Sequence, residues 1–239
     1  MSRLLIFTAF LLFFSPSAFP EATAAPKSPS PTGFMDLNYY YDTRDFTTAS
    51  INLLASFPSG FEYFSLVDYS GIPNQSPAKE TEIYYTEQNV RWPVRSGQPF
   101  SIAGQWVAQS GPKTDMLRLG ALVRLAEFEM FQQYLDGSLN SFSLNIFPLQ
   151  LDSIDGYNWQ IEYFYRFQLL PSLFADRVYL SGFADQNLDS RGSSKWVTEH
   201  QIGVQIIGQF YATMEFRYNE FLTSKREGIA LGLQYVINF

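Results

Sequence analysis

Few residues in this chain are of a type and spacing that could perform covalent chemistry. It has one histidine and no cysteine. Thiol nucleophiles, disulfide frameworks and cysteine-based zinc sites are therefore excluded. Hydrolases and acyl-transfer enzymes that rely on a histidine need it poised against a Ser or an Asp. His200 is the sole candidate. It alternates with Thr198 and Ile202 on the apolar side of a period-2 run, with no serine two residues away. No second histidine joins it to make a metal site. The sequence therefore points to a protein that is not an enzyme and needs no cofactor.

The residues left for chemistry are charged, amide and aromatic side chains of one shared parity. They are Glu162, Phe164 and Arg166; Phe183 and Asp185; Glu199 and Gln201; Glu215 and Arg217; with Arg118, Arg124, Arg177, Tyr179 and Gln205 beside them. Carboxylates and guanidinium groups hydrogen-bond hydroxyl-rich solutes, and aromatic faces stack on planar rings. The substrate-binding candidates are Phe183, Asp185, Glu199, Gln201, Glu215, Arg217, Glu162 and Arg166. Some of these charges are expected to pair among themselves, Arg217 with Glu215 or Glu199, because like charges in a narrow interior need partners. Signs are nearly balanced, which suits an uncharged polar solute such as a nucleoside better than an anionic oligosaccharide.

Strands must position this set. In the last twelve residues Ile229, Leu231, Leu233, Tyr235, Ile237 and Phe239 take one face, and Gly228, Ala230, Gly232, Gln234, Val236 and Asn238 the other. The same alternation runs through 157–169, 198–206 and 212–218. A soluble sandwich alternates too, but here the apolar faces carry long aromatic series with Tyr or Trp near strand ends. The opposite faces mix charges with Gly and aromatics. That pattern fits a transmembrane barrel with a filled polar lumen. Turn signals place strands near 34–43, 47–56, 60–70, 80–92, 99–109, 114–125, 140–149, 157–169, 175–185, 195–207, 210–221 and 227–239. The fold class is thus all-β: a closed antiparallel β-barrel of twelve strands. The outer loops become 71–79, 150–156, 186–194 and 222–226. Residues 126–137, with Phe128, Phe131 and Leu135 at helical spacing and Gly137 as C-cap, read as a short periplasmic helix, with an extra strand pair as the alternative.

Composition agrees. Phe, Tyr and Trp make up 18% of the 239 residues, charged residues 16%, and the mean hydropathy of −0.10 is too polar for a helical membrane protein. A net charge of −7 argues against nucleic acid as a partner. At the N-terminus, Arg3 precedes an apolar run from Leu4 to Phe14, too short to span a bilayer, and Ala22-Thr23-Ala24 offers a small-x-small cleavage site. Residues 1–24 read as a secretory signal, 25–33 as a Pro/Ser-rich lead-in, and 34–239 as the barrel. The expected location is the outer membrane of a Gram-negative cell after Sec export. Expected partners there are membrane lipid and lipopolysaccharide, the barrel-assembly machinery through Phe239, and a small solute.

Several segments resemble the nucleoside-specific channel-forming (Tsx-like) family of outer-membrane porins. These are Gly60-Phe61-Glu62-Tyr63-Phe64-Ser65-Leu66-Val67-Asp68-Tyr69, Ser181-Gly182-Phe183-Ala184-Asp185 with the later Thr198-Glu199-His200-Gln201, Glu215-Phe216-Arg217-Tyr218, and the close from Gly232 to Phe239. The resemblance implies a monomeric twelve-stranded barrel with a narrow, aromatic-lined passage for nucleosides. It carries Phe183, Asp185, Glu199, Gln201, Glu215 and Arg217 forward as the residues to test. The chain is shorter than typical nucleoside channels, with clipped outer loops. A structural or interaction barrel with a plugged lumen is the alternative function.

Overall fold

The structure is a computed structural model that describes residues 30–71, 83–111, 115–134, 138–151 and 157–239. The expected signal 1–24, most of the lead-in, loop residues 72–79 and 152–156, and the C-cap Gly137 lie outside these. Twelve strands follow one another as antiparallel neighbours: β1 (Thr32–Asp42), β2 (Phe46–Ser56), β3 (Glu62–Ser70), β4 (Ile83–Pro93), β5 (Phe100–Gln109), β6 (Asp115–Arg124), β7 (Leu139–Leu151), β8 (Tyr157–Gln168), β9 (Val178–Asp189), β10 (Ser194–Ile207), β11 (Phe210–Asn219) and β12 (Glu227–Asn238). The ladder closes because β1 pairs with β12, from Phe34 opposite Asn238 to Asp42 opposite Ala230. The backbones of Gly33 and Phe239 exchange hydrogen bonds at 2.9 and 3.1 Å, extending the closure to the last residue. A closed ladder leaves no unpaired edge.

Alternation decides which way each side chain points. Outward positions hold the exposed large apolar residues, among them Ile102, Trp106, Leu119, Met214, Leu231 and Leu233. Leu231 is 57% exposed while its chain neighbour Ala230 is fully buried. The buried side chains are mostly polar: Asp36, Asn38, Gln105, Arg118, Asn145, Gln160 and Glu215 among them. A sandwich would bury an apolar core between two open sheets. This fold does the reverse: among the described residues its buried apolar side chains are fewer than its buried polar ones, and Ala103, Leu122 and Phe147 form a small apolar cluster. Aromatic clusters mark the rim that carries both termini: Phe57 with Phe61, Phe61 with Trp92, and Phe210 with Tyr235 at 4.6 Å between centroids.

The helix expected over 126–137 forms over fewer of the described residues, with Phe128 in extended backbone. A 3-10 turn (Leu125–Glu127) leads into α1 (Glu129–Tyr134) at the same rim. Phe128 packs edge-on against Phe100, and Phe131 against Phe142. The main correction concerns β9, expected at 175–185. A short helix α2 (Pro171–Phe174) with left-handed backbone at Leu170, Ala175 and Asp176 delays its start to Val178. Its polar end runs on to Asp189, so the loop expected at 186–194 shrinks to four residues. There the Asp189 carboxylate accepts from the backbone N–H of Arg191 and Ser193, and Gly192 takes φ +84°.

Candidate functional site in the barrel lumen

All eight candidate residues point inward, and register makes them one patch across β8 to β11. Glu162 lies opposite Asp185, and Phe164 opposite Phe183. Phe183 in turn lies opposite Glu199. Glu199 faces Arg217, and Gln201 faces Glu215. Arg217 forms an ion pair with Glu215 on its own strand, and its Nε lies 3.9 Å from Glu199 Oε1. Of the two expected alternatives, Glu215 makes the close pair and Glu199 lies at the edge of ion-pair distance. The Glu215 side chain is 7% exposed and that of Glu199 29%, so one carboxylate is structural in character and the other faces the passage.

A hydrogen-bonded bar runs along the inner face of the arc from β9 to β1. Tyr179 on β9 reaches Gln201 at 2.6 Å and Gln234 on β12 at 2.5 Å, and Gln201 donates to Tyr40 on β1. The guanidinium of Arg166 sits 3.9 Å above the Tyr179 ring, and that of Arg217 5.1 Å from the Tyr40 ring. These are cation–π stackings. Inward glycines make room: a Cβ on Gly203 would collide with the Tyr179 ring, and one on Gly232 with the Tyr40 ring.

The facing wall, from β1 to β7, holds Arg118 and Arg124 of the expected inward set, together with Asp36, Asn38, Asn52, Glu87 and Asn89, which the sequence reading did not single out. Asp36 accepts from Asn38 and from Asn52 at 2.8 Å. Glu87 accepts from Asn89 at 2.7 Å and Tyr85 at 3.1 Å. Arg118 bonds Gln150 at 2.7 Å and also Gln105. Arg124 pairs with Glu62 at 2.7 Å, reaching past β4 and β5. The signal was available, because Asp36, Asn38, Tyr40 and Asp42 alternate with Leu37, Tyr39 and Tyr41. Arg177 and Gln205, expected inside, instead bond backbone carbonyls at the terminus-bearing rim: Arg177 those of Gln205 and Ile206, Gln205 that of Gly208.

His200 is on the outer surface of the barrel, as its parity requires. Its Nδ1 lies 2.6 Å from the Tyr165 hydroxyl, and its ring stacks between Tyr165 and Phe216. The outward Gly182 lets these two side chains approach. The histidine thus has its polar partner on the outward side, away from the lumen carboxylates.

No family model matches the chain, and no curated protein does. Among solved structures, the KdgM porin superposes with a TM-score of 0.51 at 13% identity, covering 84% of this chain and 98% of that one. The same porin in complex with disordered oligogalacturonate gives 0.50 at 13%, with equal coverage. A mutant Rhodopseudomonas blastica porin gives 0.39 at 7%, which carries no weight. At such identity the likeness to the KdgM porin is one of fold, a closed β-barrel over nearly its whole length.

Proposed function

We propose that this protein is an outer-membrane pore through which small polar solutes diffuse passively, with planar, hydroxyl-bearing solutes of nucleoside type as its best fit. The observation that carries the reading is the Glu199 carboxylate, 29% exposed inside a largely packed lumen, with Phe183 directly across the ladder and Arg217 beside it. An aromatic face next to an acceptor and a donor is what stacking and ribose hydroxyls require. The apolar outward belt and the rim aromatics support a membrane location. The Tsx-like segments support the nucleoside class. Export by a cleaved signal, contact with lipopolysaccharide, and recognition of Phe239 during assembly belong to the same proposal.

The KdgM porin is known with bound oligogalacturonate, a polyanion. The lumen here argues for a different solute. Asp68, Glu87, Glu162 and Asp185 line it without a cation in ion-pair contact among the described residues, whereas Arg217 and Arg124 are already paired. A polyanion would meet more negative than free positive charge.

Replacing Glu199 or Arg217 with Ala should change solute flux while the barrel still forms, read by liposome uptake alongside the heat-modifiable mobility of folded barrels. Unchanged flux for every inward substitution would remove the proposal. One observation favours a second reading, a plugged barrel: Tyr40 and Tyr179 are only 3% and 1% exposed, and with Gln201 and Gln234 they fill the inner face of the arc from β9 to β1. Small barrels can be filled by side chains alone. That reading predicts no conductance above background.

A further inference from the structure

A row of oxygen ligands crosses three strands on the lumen wall. Asn145 on β7 lies opposite Glu162 on β8, which lies opposite Asp185 on β9. Gln160 stands two residues along from Glu162 on the same inward face. Directly opposed residues on neighbouring antiparallel strands hold their Cβ atoms about 5 Å apart, and like charges there repel. Neither carboxylate has a cation in ion-pair contact among the described residues. Arg118 is within electrostatic reach of both, but its hydrogen bonds go to Gln105 and Gln150.

The amides are oriented by the same carboxylates. Asn145 gives its N–H to Glu162, and Gln160 gives its N–H to Asp185 at 3.0 Å. Their carbonyl oxygens are left without a donor. Asp185 Oδ1, Gln160 Oε1 and Asn145 Oδ1 are all shielded from solvent, and none receives a hydrogen bond. Asn145 and Gln160 are 1% and 2% exposed, so this is a built interior and not a loose surface patch. Buried acceptors without donors are costly, and two facing carboxylates add repulsion. A hard cation relieves both, because it takes carboxylate and amide oxygens together.

We infer that Glu162 and Asp185, with the side-chain carbonyls of Gln160 and Asn145, form a binding site for a hard metal cation in the lumen wall. Two carboxylates fall short of an all-acidic cage, and the amide oxygens complete the set. The site lies in the lumen of the proposed pore, but its existence does not depend on conduction.

The test is tyrosine-sensitised terbium luminescence of the refolded full chain in detergent, with displacement by calcium. Tyr85, bonded to Glu87 and within electrostatic reach of Asp185, is one nearby sensitiser. The expected result is a saturable signal that Glu162→Gln and Asp185→Asn each weaken by roughly tenfold or more. Asp189→Asn, at the distant hairpin, should leave it unchanged. Each lumen variant removes one charge at constant volume, so either alone decides if the other fails to fold. No saturable signal, or equal affinity in both variants, overturns the site. A protein that binds terbium without conducting overturns the pore and keeps the site; one that conducts without binding does the opposite.

Discussion

Tyr179 on β9 and Gln234 on β12 meet 2.5 Å apart inside the barrel, although two strands separate them around the wall. With Gln201 on the near side, the phenol holds an arc of the barrel in one conformation. A phenol carries a single proton, so it donates to one amide oxygen at a time. Removing that hydroxyl by Tyr179→Phe leaves a buried amide group short of a partner. The expected loss is about 1–3 kcal/mol, read from the midpoint of urea unfolding in detergent or lipid.

Glycine makes that arrangement possible. Gly203→Val would place its side chain where the Tyr179 ring now lies. Overpacking of this kind costs about 1–3 kcal/mol. The combination Gly203→Val with Tyr179→Ala should recover part of the loss, so a double-mutant cycle on unfolding midpoints checks the contact. Strict additivity would show that the two do not touch.

Arg217 and Glu215 are buried together, so removing one partner strands the other. Arg217→Met should destabilise the barrel by about 3–5 kcal/mol, whereas Arg217→Met with Glu215→Gln should cost clearly less. Measuring all three variants by equilibrium unfolding separates this pair from Glu199, whose more exposed carboxylate can find water. Glu199→Gln should leave stability within about 1 kcal/mol of the parent and act on flux instead.

On the proposed reading the outward face meets a bilayer. Leu231→Arg would then put a guanidinium among lipid tails, and the expected cost is about 2–4 kcal/mol if the residue lies near the midplane. Reversible unfolding from liposomes gives the value directly. A cost near zero would mean that this face is wet.

The barrel was legible from sequence because period-2 alternation is local information, carried by each strand on its own. The inward and outward faces and the closing run to Phe239 followed from it, the twelve strands from the turn signals between them, and the short helix near Phe131 from helical spacing. The start of β9 was not, because Leu170, Ala175 and Asp176 adopt left-handed backbone that their side chains do not announce. The inward parity of Glu199 and Arg217 was equally plain, and so was their pairing. What parity could not supply was reach across the lumen. Tyr40 to Gln201, Tyr179 to Gln234, and Arg124 to Glu62 link strands that are not neighbours, and those links depend on barrel width and side-chain length. The row from Asn145 to Asp185 was hidden for a related reason: it needs the register of three strands at once.

The central claim is an open, solute-selective lumen, and uptake of radiolabelled nucleosides into proteoliposomes holding the refolded protein tests it most directly, with a sugar and an amino acid as controls. The account predicts nucleoside entry that is faster than either control, saturates, and falls when Glu199 is replaced. Entry of no solute above that into protein-free liposomes would contradict it and leave the Tyr40–Gln201–Tyr179–Gln234 bar as a plug.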